Sequence, residues 1–167
     1  AFDKSFKEFI KDLSYKDIWE NNFHSFNNRI LLSYSWPLRS FPNYAQQLEM
    51  ESLGKPANPK SIFKKTSQTI FGGFGPKAQH SYFQQLHQGT ENYSVDLFSN
   101  REDRVDEKLI SKQLQAQLTL FKNCPRELKG SQEEVKANVN FNHFELAKID
   151  PFHLGYLIAL WEYRTFI

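Results

Sequence analysis

Phe2, Phe6, Phe9, Ile10, Leu13 and Ile18 recur at the spacing of one helix face, with Lys4, Lys7, Lys11, Asp12 and Lys16 between them. This pattern predicts an amphipathic helix over the first twenty or so residues. A polar break from Asn21 to Asn28 leads into Ile30–Tyr34, a short apolar run of the buried-strand type. Leu38, Phe41, Ala45 and Leu48 mark a second helix, with Ser40 as a candidate N-cap and Pro42 tolerable only in its first turn. The following stretch to Gln68, with Gly54, Pro56 and Pro59, reads as a polar, somewhat basic loop.

Thr69, Ile70 and Phe71 suit another buried strand, Gly72, Gly73 and Gly75 a tight turn, and Pro76 a first helical position. Strands are expected again at Tyr93–Phe98 and at 144–149, with a long amphipathic helix from roughly Arg104 to Lys122 between them. That helix begins acidic, with Glu102, Asp103, Asp106 and Glu107, and stops at Asn123, Cys124 and Pro125. Ser131 and Glu134 are spaced as a capping box, which predicts a short helix over 131–136. Asp150 and Pro151 form an N-cap and N1 pair that opens PFHLGYLIALWEYRTFI, apolar nearly all round and so expected to be buried. Helices alternating with strands favour a three-layer α/β/α sandwich around a mostly parallel sheet.

Length and composition narrow the picture without identifying a function. The chain has 167 residues and 16 Phe, enough for one domain with a real core. Its 21 basic and 19 acidic residues are nearly balanced and form no basic stripe, which argues against nucleic acid as a partner. The single cysteine, Cys124, excludes an internal disulfide framework and Cys-rich zinc patterns, and fits a reducing cytoplasm. No apolar segment is long enough to span a bilayer. The chain opens at Ala1 on a helical pattern and ends at Ile167 within an apolar one, so it reads as an excised piece, truncated at both ends.

Candidate chemistry concentrates in two places. A strand, a glycine turn and a helix N-terminus can hold an anion, and in that field His80 would favour the neutral form that carries protons near neutral pH. His87, two turns further on, cannot share a metal ion with it. At the end of the second helix stand Glu49 and Glu51; either, if drawn into an apolar setting, would be tuned toward a base, and periodicity does not choose between them. Lys55, Lys60, Lys64 and Lys65 could meet a phosphate, but a solvated surface is the reading favoured for them. Asp96 is expected in the C-terminal half of its strand, toward the edge where ligands gather in open α/β sheets. His153 and Glu162 read as hydrogen-bonded packing residues.

Three stretches, QQLEMESLGK at Gln46–Lys55, FGGFGPKAQHSYFQQLHQGT at Phe71–Thr90 and IDPFHLGYLIALWEY at Ile149–Tyr163, resemble in the same order three signatures of the glucose-6-phosphate isomerase family. The run IWENNFHSFNNRILLSYSWPLRSFPNYAQQLEMES from Ile18 resembles the approach to that family's catalytic glutamate. The resemblance implies that residues 1–167 are part of the C-terminal one of two sugar-isomerase (SIS) domains. It implies an enzyme of glycolysis and gluconeogenesis that interconverts glucose 6-phosphate and fructose 6-phosphate through a cis-enediol, in the cytoplasm, with no metal or organic cofactor.

On that resemblance Glu51 would be the base that moves the proton, Gln47 would contact the sugar, and His80 would assist ring opening in the neighbouring subunit's site, which implies a homodimer. Where many members read Trp-Gly-Glu-Pro-Gly-Thr, this chain has Phe71 to Pro76, and KANVNFNHF replaces an Arg-Pro turn. Counterparts of the family's phosphate-binding Ser/Thr cluster, its enediol-supporting arginine and its C-terminal lysine are not found. The piece alone is therefore expected to be inactive. The alternatives are a non-catalytic phosphosugar-binding domain and an assembly module built on the apolar terminal helix.

Overall fold

A computed structural model describes residues 3–101, 105–136 and 139–167. Its elements run α1 (Lys4–Phe23), β1 (Asn28–Ser33), α2 (Phe41–Leu53), β2 (Thr69–Phe74), α3 (Gly75–Ala78), α4 (Phe83–Gln88), β3 (Tyr93–Asn100), α5 (Val105–Lys122), β4 (Asn140–Leu146) and α6 (Pro151–Phe166). The four strands form one parallel sheet in the order β2-β1-β3-β4. From β1 the chain first steps outward to β2 over one face, through α2, then returns across β1 to β3 and on to β4 over the other, through α3 to α5. Opposite directions using opposite faces is what right-handed crossovers require. The result is the three-layer α/β/α sandwich.

Alternation along the strands supplies the two cores. Ile30, Leu32, Val95 and Leu97 face α3–α5, where Phe83, Leu86, Leu114, Leu118 and Phe121 cover them. Leu31, Ile70 and Phe98 face the opposite way, against Ile10 and Leu13 of α1, Phe41 and Ala45 of α2, and Leu157, Leu160 and Trp161 of α6. This second face is divided along its height. Toward the carboxyl edge it is aromatic, with Phe98 stacked on Phe144 at 5.5 Å and edge-on to Trp161 at 5.3 Å. Toward the amino edge it carries Arg29, Asp96 and Asn142 instead.

Four expectations are corrected. Gly72 and Gly73 lie inside β2, paired with Leu31 and Leu32, and do not form a turn. A Cβ at Gly72 would stand 1.9 Å from the Leu31 carbonyl oxygen, so glycine permits the close approach of the two strands. The expected helix over 131–136 is absent: a single 3₁₀ turn at Arg126–Leu128 precedes a bend, in which the Glu134 carboxylate accepts from the Gly130 N–H. β4 begins at Asn140, four residues before its expected start. Finally, α6 is buried on one face only; Phe152 is 73% exposed and Phe166 82%.

Asp150 caps α6, accepting from the His153 N–H at 2.8 Å. Ser40 makes no side-chain cap on α2, where Pro42 does lie in the first turn. The acidic residues expected to open α5 lie outside the described residues or their described side chains. Among the described residues no helix is long and apolar enough to cross a membrane.

Candidate functional site

Because β1 and β2 are parallel, α2 has to run back from the carboxyl edge of the sheet to its amino edge. The C-terminal turn of α2, with Glu49 and Glu51, therefore lies at the amino edge. His80 follows β2 and α3, at the carboxyl edge. The six residues of β2 separate these edges by about 20 Å at roughly 3.3 Å per residue. Glu51 and His80 are thus not brought together within one chain.

The structure decides between the two glutamates. Glu49 is the buried one, 4% exposed; its Oε1 accepts from Trp161 Nε1 at 2.7 Å and its Oε2 pairs with Arg29 Nη2. Glu51 is exposed and accepts from the Gln47 amide one turn earlier at 3.3 Å. The expectation that the candidate base sits in an apolar setting is not met within this chain. The reason is geometric: positions 49 and 51 are 200° apart around a helix, so burying one turns the other outward.

Glu49 belongs to a buried ionic cluster that the sequence reading did not find. Arg29 Nη1 lies 2.7 Å from Asp17 Oδ2, and Arg164 holds Asp17 by two hydrogen bonds at 2.6 and 2.7 Å while its Nη1 donates to Asp96 at 2.9 Å. Asn142 donates to the other Asp96 oxygen at 2.7 Å. Burial pulls the Asp17 carboxyl upward, but Arg164 and then Arg29 outweigh it and hold the group at about 2. Burial likewise opposes the charge on Arg164, and Asp17 and Asp96 overcome it, holding the guanidinium well above its usual value. Asp96 is fully buried at mid-strand, so its expected place toward a ligand-binding edge is corrected: its carboxylate serves the cluster.

Beside this cluster a cavity of about 300 Å³ opens at the amino edge, lined among others by Asn21, Arg29, Glu49, Leu53, Lys65 and Gln68. The loop after α2 is tied over it, since the Lys64 and Lys65 N–H groups both donate to Asn22 Oδ1, at 3.1 and 3.0 Å. The Lys65 ammonium donates to Asn27 Oδ1 at 2.5 Å and that of Lys64 to the Ser61 carbonyl at 2.7 Å.

At the carboxyl edge the expected anion cradle is not formed. The glycines are committed to β2, and α3 is one turn long with Pro76 in its first positions. His80 follows the end of that turn, its N–H bonded to the Lys77 carbonyl at 3.2 Å, so it does not feel the N-terminal field expected for it. Its ring is exposed and lies 3.4 Å from the Gln79 amide nitrogen. His87 belongs to the separate helix α4, is buried, and meets the Gln117 amide at 2.9 Å. His153 Nδ1 pairs with Asp150 at 2.7 Å, as expected of a hydrogen-bonded packing residue, while Glu162 is exposed and accepts from the Tyr44 hydroxyl at 3.3 Å on the surface. Among the described residues no group of three or more His, Cys, Asp or Glu is placed to hold a metal ion.

A doubly wound parallel α/β layer, with a glutamine–glutamate pair on an exposed helix end and a histidine at the opposite edge, places the chain among α/β/α sandwich proteins. A solved glucose-6-phosphate isomerase from Chlamydia trachomatis superposes with a TM-score of 0.79 at 27% identity, over 91% of this chain and 32% of that one. A hypothetical protein from Thermus thermophilus shares the fold, with a TM-score of 0.64 at 17% identity over 93% of this chain and 38% of its own. The family model described as phosphoglucose isomerase matches residues 9–167. The chain belongs to the phosphoglucose isomerase family. Curated glucose-6-phosphate isomerases from Legionella pneumophila (strain Lens) and Polaromonas naphthalenivorans are each 34% identical to it, over 152 and 158 residues, 90% of this chain. The chain spans 30% of the length of either.

Proposed function

We propose that the protein containing this chain interconverts glucose 6-phosphate and fructose 6-phosphate as a cytoplasmic homodimer, and that residues 1–167 are the core of its C-terminal sugar-isomerase domain. The carrying observation is the family match over residues 9–167, within which Gln47, Glu51 and His80 all occupy exposed positions. In this reading His80 exchanges a proton with the ring oxygen and the anomeric hydroxyl as the sugar opens. Glu51 then takes the C2 proton to form a cis-enediol and returns it to C1, while Gln47 holds the sugar.

Abstraction from carbon needs a carboxylate shielded from water, and Glu51 is exposed. The reading therefore requires further protein to close over it, and the chain alone is proposed to be inactive. The test is a coupled assay of fructose 6-phosphate turnover in the full-length enzyme. Glu51→Gln, with the fold intact by circular dichroism, is expected to lower kcat by about 10²- to 10⁴-fold. Unchanged turnover removes Glu51 from the mechanism. Binding of the phosphosugar without any proton exchange at C2 in the intact protein would favour a non-catalytic binding domain instead.

A further inference from the structure

The buried row of α2 is Phe41, Ala45 and Glu49, at i, i+4 and i+8. The third place in a row facing a sheet ordinarily takes an aliphatic side chain. Here it is a carboxylate held from two directions, by Arg29 of the sheet and by the Trp161 indole of α6. An aliphatic residue tolerates small rotations of its helix, whereas two directed bonds do not.

Arg29 is in turn braced by Asp17, and Asp17 by both nitrogens of the Arg164 fork. On its other flank Glu49 borders the cavity at the amino edge, so close packing does not restrain α2 on that side. Gln47 and Glu51 are 40° apart around the helix and point away from Glu49. The azimuth of Glu49, together with the Gln46 amide that donates to the Ile70 carbonyl at 2.5 Å one turn earlier, therefore sets theirs.

We infer that Glu49, clamped between Arg29 and Trp161, is a positioning residue that fixes the rotation of the last turns of α2 and so aims the Glu51 carboxylate. The inference rests on the reading of Glu51 as the base. A rotation of about 10° carries a carboxylate roughly 6 Å from the helix axis through about 1 Å. A displacement of that order at a reacting group costs about 100-fold in rate.

The experiment uses the full-length enzyme, with Glu49→Gln, Trp161→Phe and, as control, Glu51→Gln. Two quantities are read: kcat and KM for each sugar phosphate, and the share of deuterium from 2-deutero-glucose 6-phosphate that reaches C1 of the product instead of solvent. For Glu49→Gln, kcat is expected to fall about ten- to a hundred-fold, KM to stay within about twofold, and the transferred share to drop. A merely structural loss lowers the amount of active enzyme and leaves the transferred share unchanged. That result, or a wild-type kcat and share, overturns the inference. Should Glu49→Gln fail to fold, Trp161→Phe decides, since it keeps the Arg29–Glu49 pair and an aromatic ring at the buried position while removing the indole donor; an unchanged kcat and transferred share in it overturns the inference. An active Glu51→Gln enzyme overturns the assignment of the base; an inactive one, beside a normal Glu49→Gln enzyme, overturns only the positioning role.

Discussion

Arg164→Met tests whether the buried cluster is held by its charges or merely fills space. Arg164 carries four roles at once: two bonds to Asp17, one to Asp96, and a guanidinium 4.7 Å above the Trp161 ring. Methionine fills much of the volume but leaves the three carboxylates Asp17, Glu49 and Asp96 with Arg29 as their remaining guanidinium partner. Removing one partner of a buried pair costs about 3–5 kcal/mol. At about 2 kcal/mol per molar urea for a domain of this size, the unfolding midpoint should fall by about 1.5–2.5 M near neutral pH. Trp161 reports the transition, since it is fully buried while Trp19 and Trp36 are each more than half exposed.

The pH dependence carries the sign. In the wild type, Asp17 is depressed from 3.8 to about 2, worth about 2 kcal/mol, a little less for the fifth of its side chain that is exposed. A depressed carboxyl stabilises above its unfolded value and loses that contribution as pH falls from about 4 through about 2. In Arg164→Met the stronger of its two cationic partners is gone and Arg29 alone opposes burial, so less of that contribution remains to be lost. The gap between wild type and variant should therefore narrow as pH falls from about 4 through about 2. A midpoint shift below about 0.5 M at neutral pH, or a gap that does not change with pH, refutes the ionic account.

Two further outcomes follow from single sites. A Cβ at Gly75 would meet the Tyr34 ring at 2.6 Å, and Tyr34 is buried in the core against α3–α5, so Gly75→Ala should cost about 1–3 kcal/mol, read as a lower urea midpoint. Burial pushes the His87 imidazolium down, only partly offset by the Gln117 bond, so the folded chain refuses a proton that the unfolded chain accepts. Its contribution is present above about pH 6.5 and lost as pH falls through the lower folded value; His87→Met should flatten the urea midpoint's dependence between about pH 8 and pH 5.5. His143, also held down by burial, leaves a residual slope of the same sign.

The periodic elements were legible because each buries one face. Phe6, Ile10 and Leu13 on α1 and Leu114, Leu118 and Phe121 on α5 declare themselves by spacing, whereas Ile30 to Leu32 on β1, buried on both faces, show as an unbroken apolar run. The failures have local causes. Gly72 and Gly73 read as a turn because glycine ordinarily weakens a strand, and the reason for them is the backbone of β1, remote in sequence. In β4 the alternating Asn140, Asn142 and Phe144 conceal a strand whose polar positions face inward, Asn142 reaching Asp96.

Asp17, Arg29, Glu49, Asp96 and Arg164 are spread along the whole chain, and even Asp17 and Arg29, twelve residues apart, sit on different elements, so no single helix or strand contains two partners. What signal there was lay in lone charges within apolar runs: Arg29 ahead of Ile30, Asp96 between Val95 and Leu97, and Arg164 in the last helix. Such charges in a buried element need a partner from elsewhere. The same partners, Arg29 and Trp161, separate Glu49 from Glu51 where periodicity could not.

The opposite placement of Glu51 and His80 has a consequence that needs no structure of the assembly. A parallel strand stands between the two residues, so on the proposed reading one chain cannot serve a single sugar with both, and two subunits related by a twofold axis can. Each site would then take Glu51 from one subunit and His80 from the other. Co-refolding equal amounts of full-length Glu51→Gln and His80→Ala subunits makes half of the dimers hybrids, and each hybrid holds one site in which both residues are intact. The mixture should regain about a quarter of wild-type activity, while either variant alone stays near background. If both residues served the same site from one chain, every site in the mixture would lack one of them and no activity would return. An inactive mixture, with hybrids demonstrated by tagged subunits, refutes the shared site.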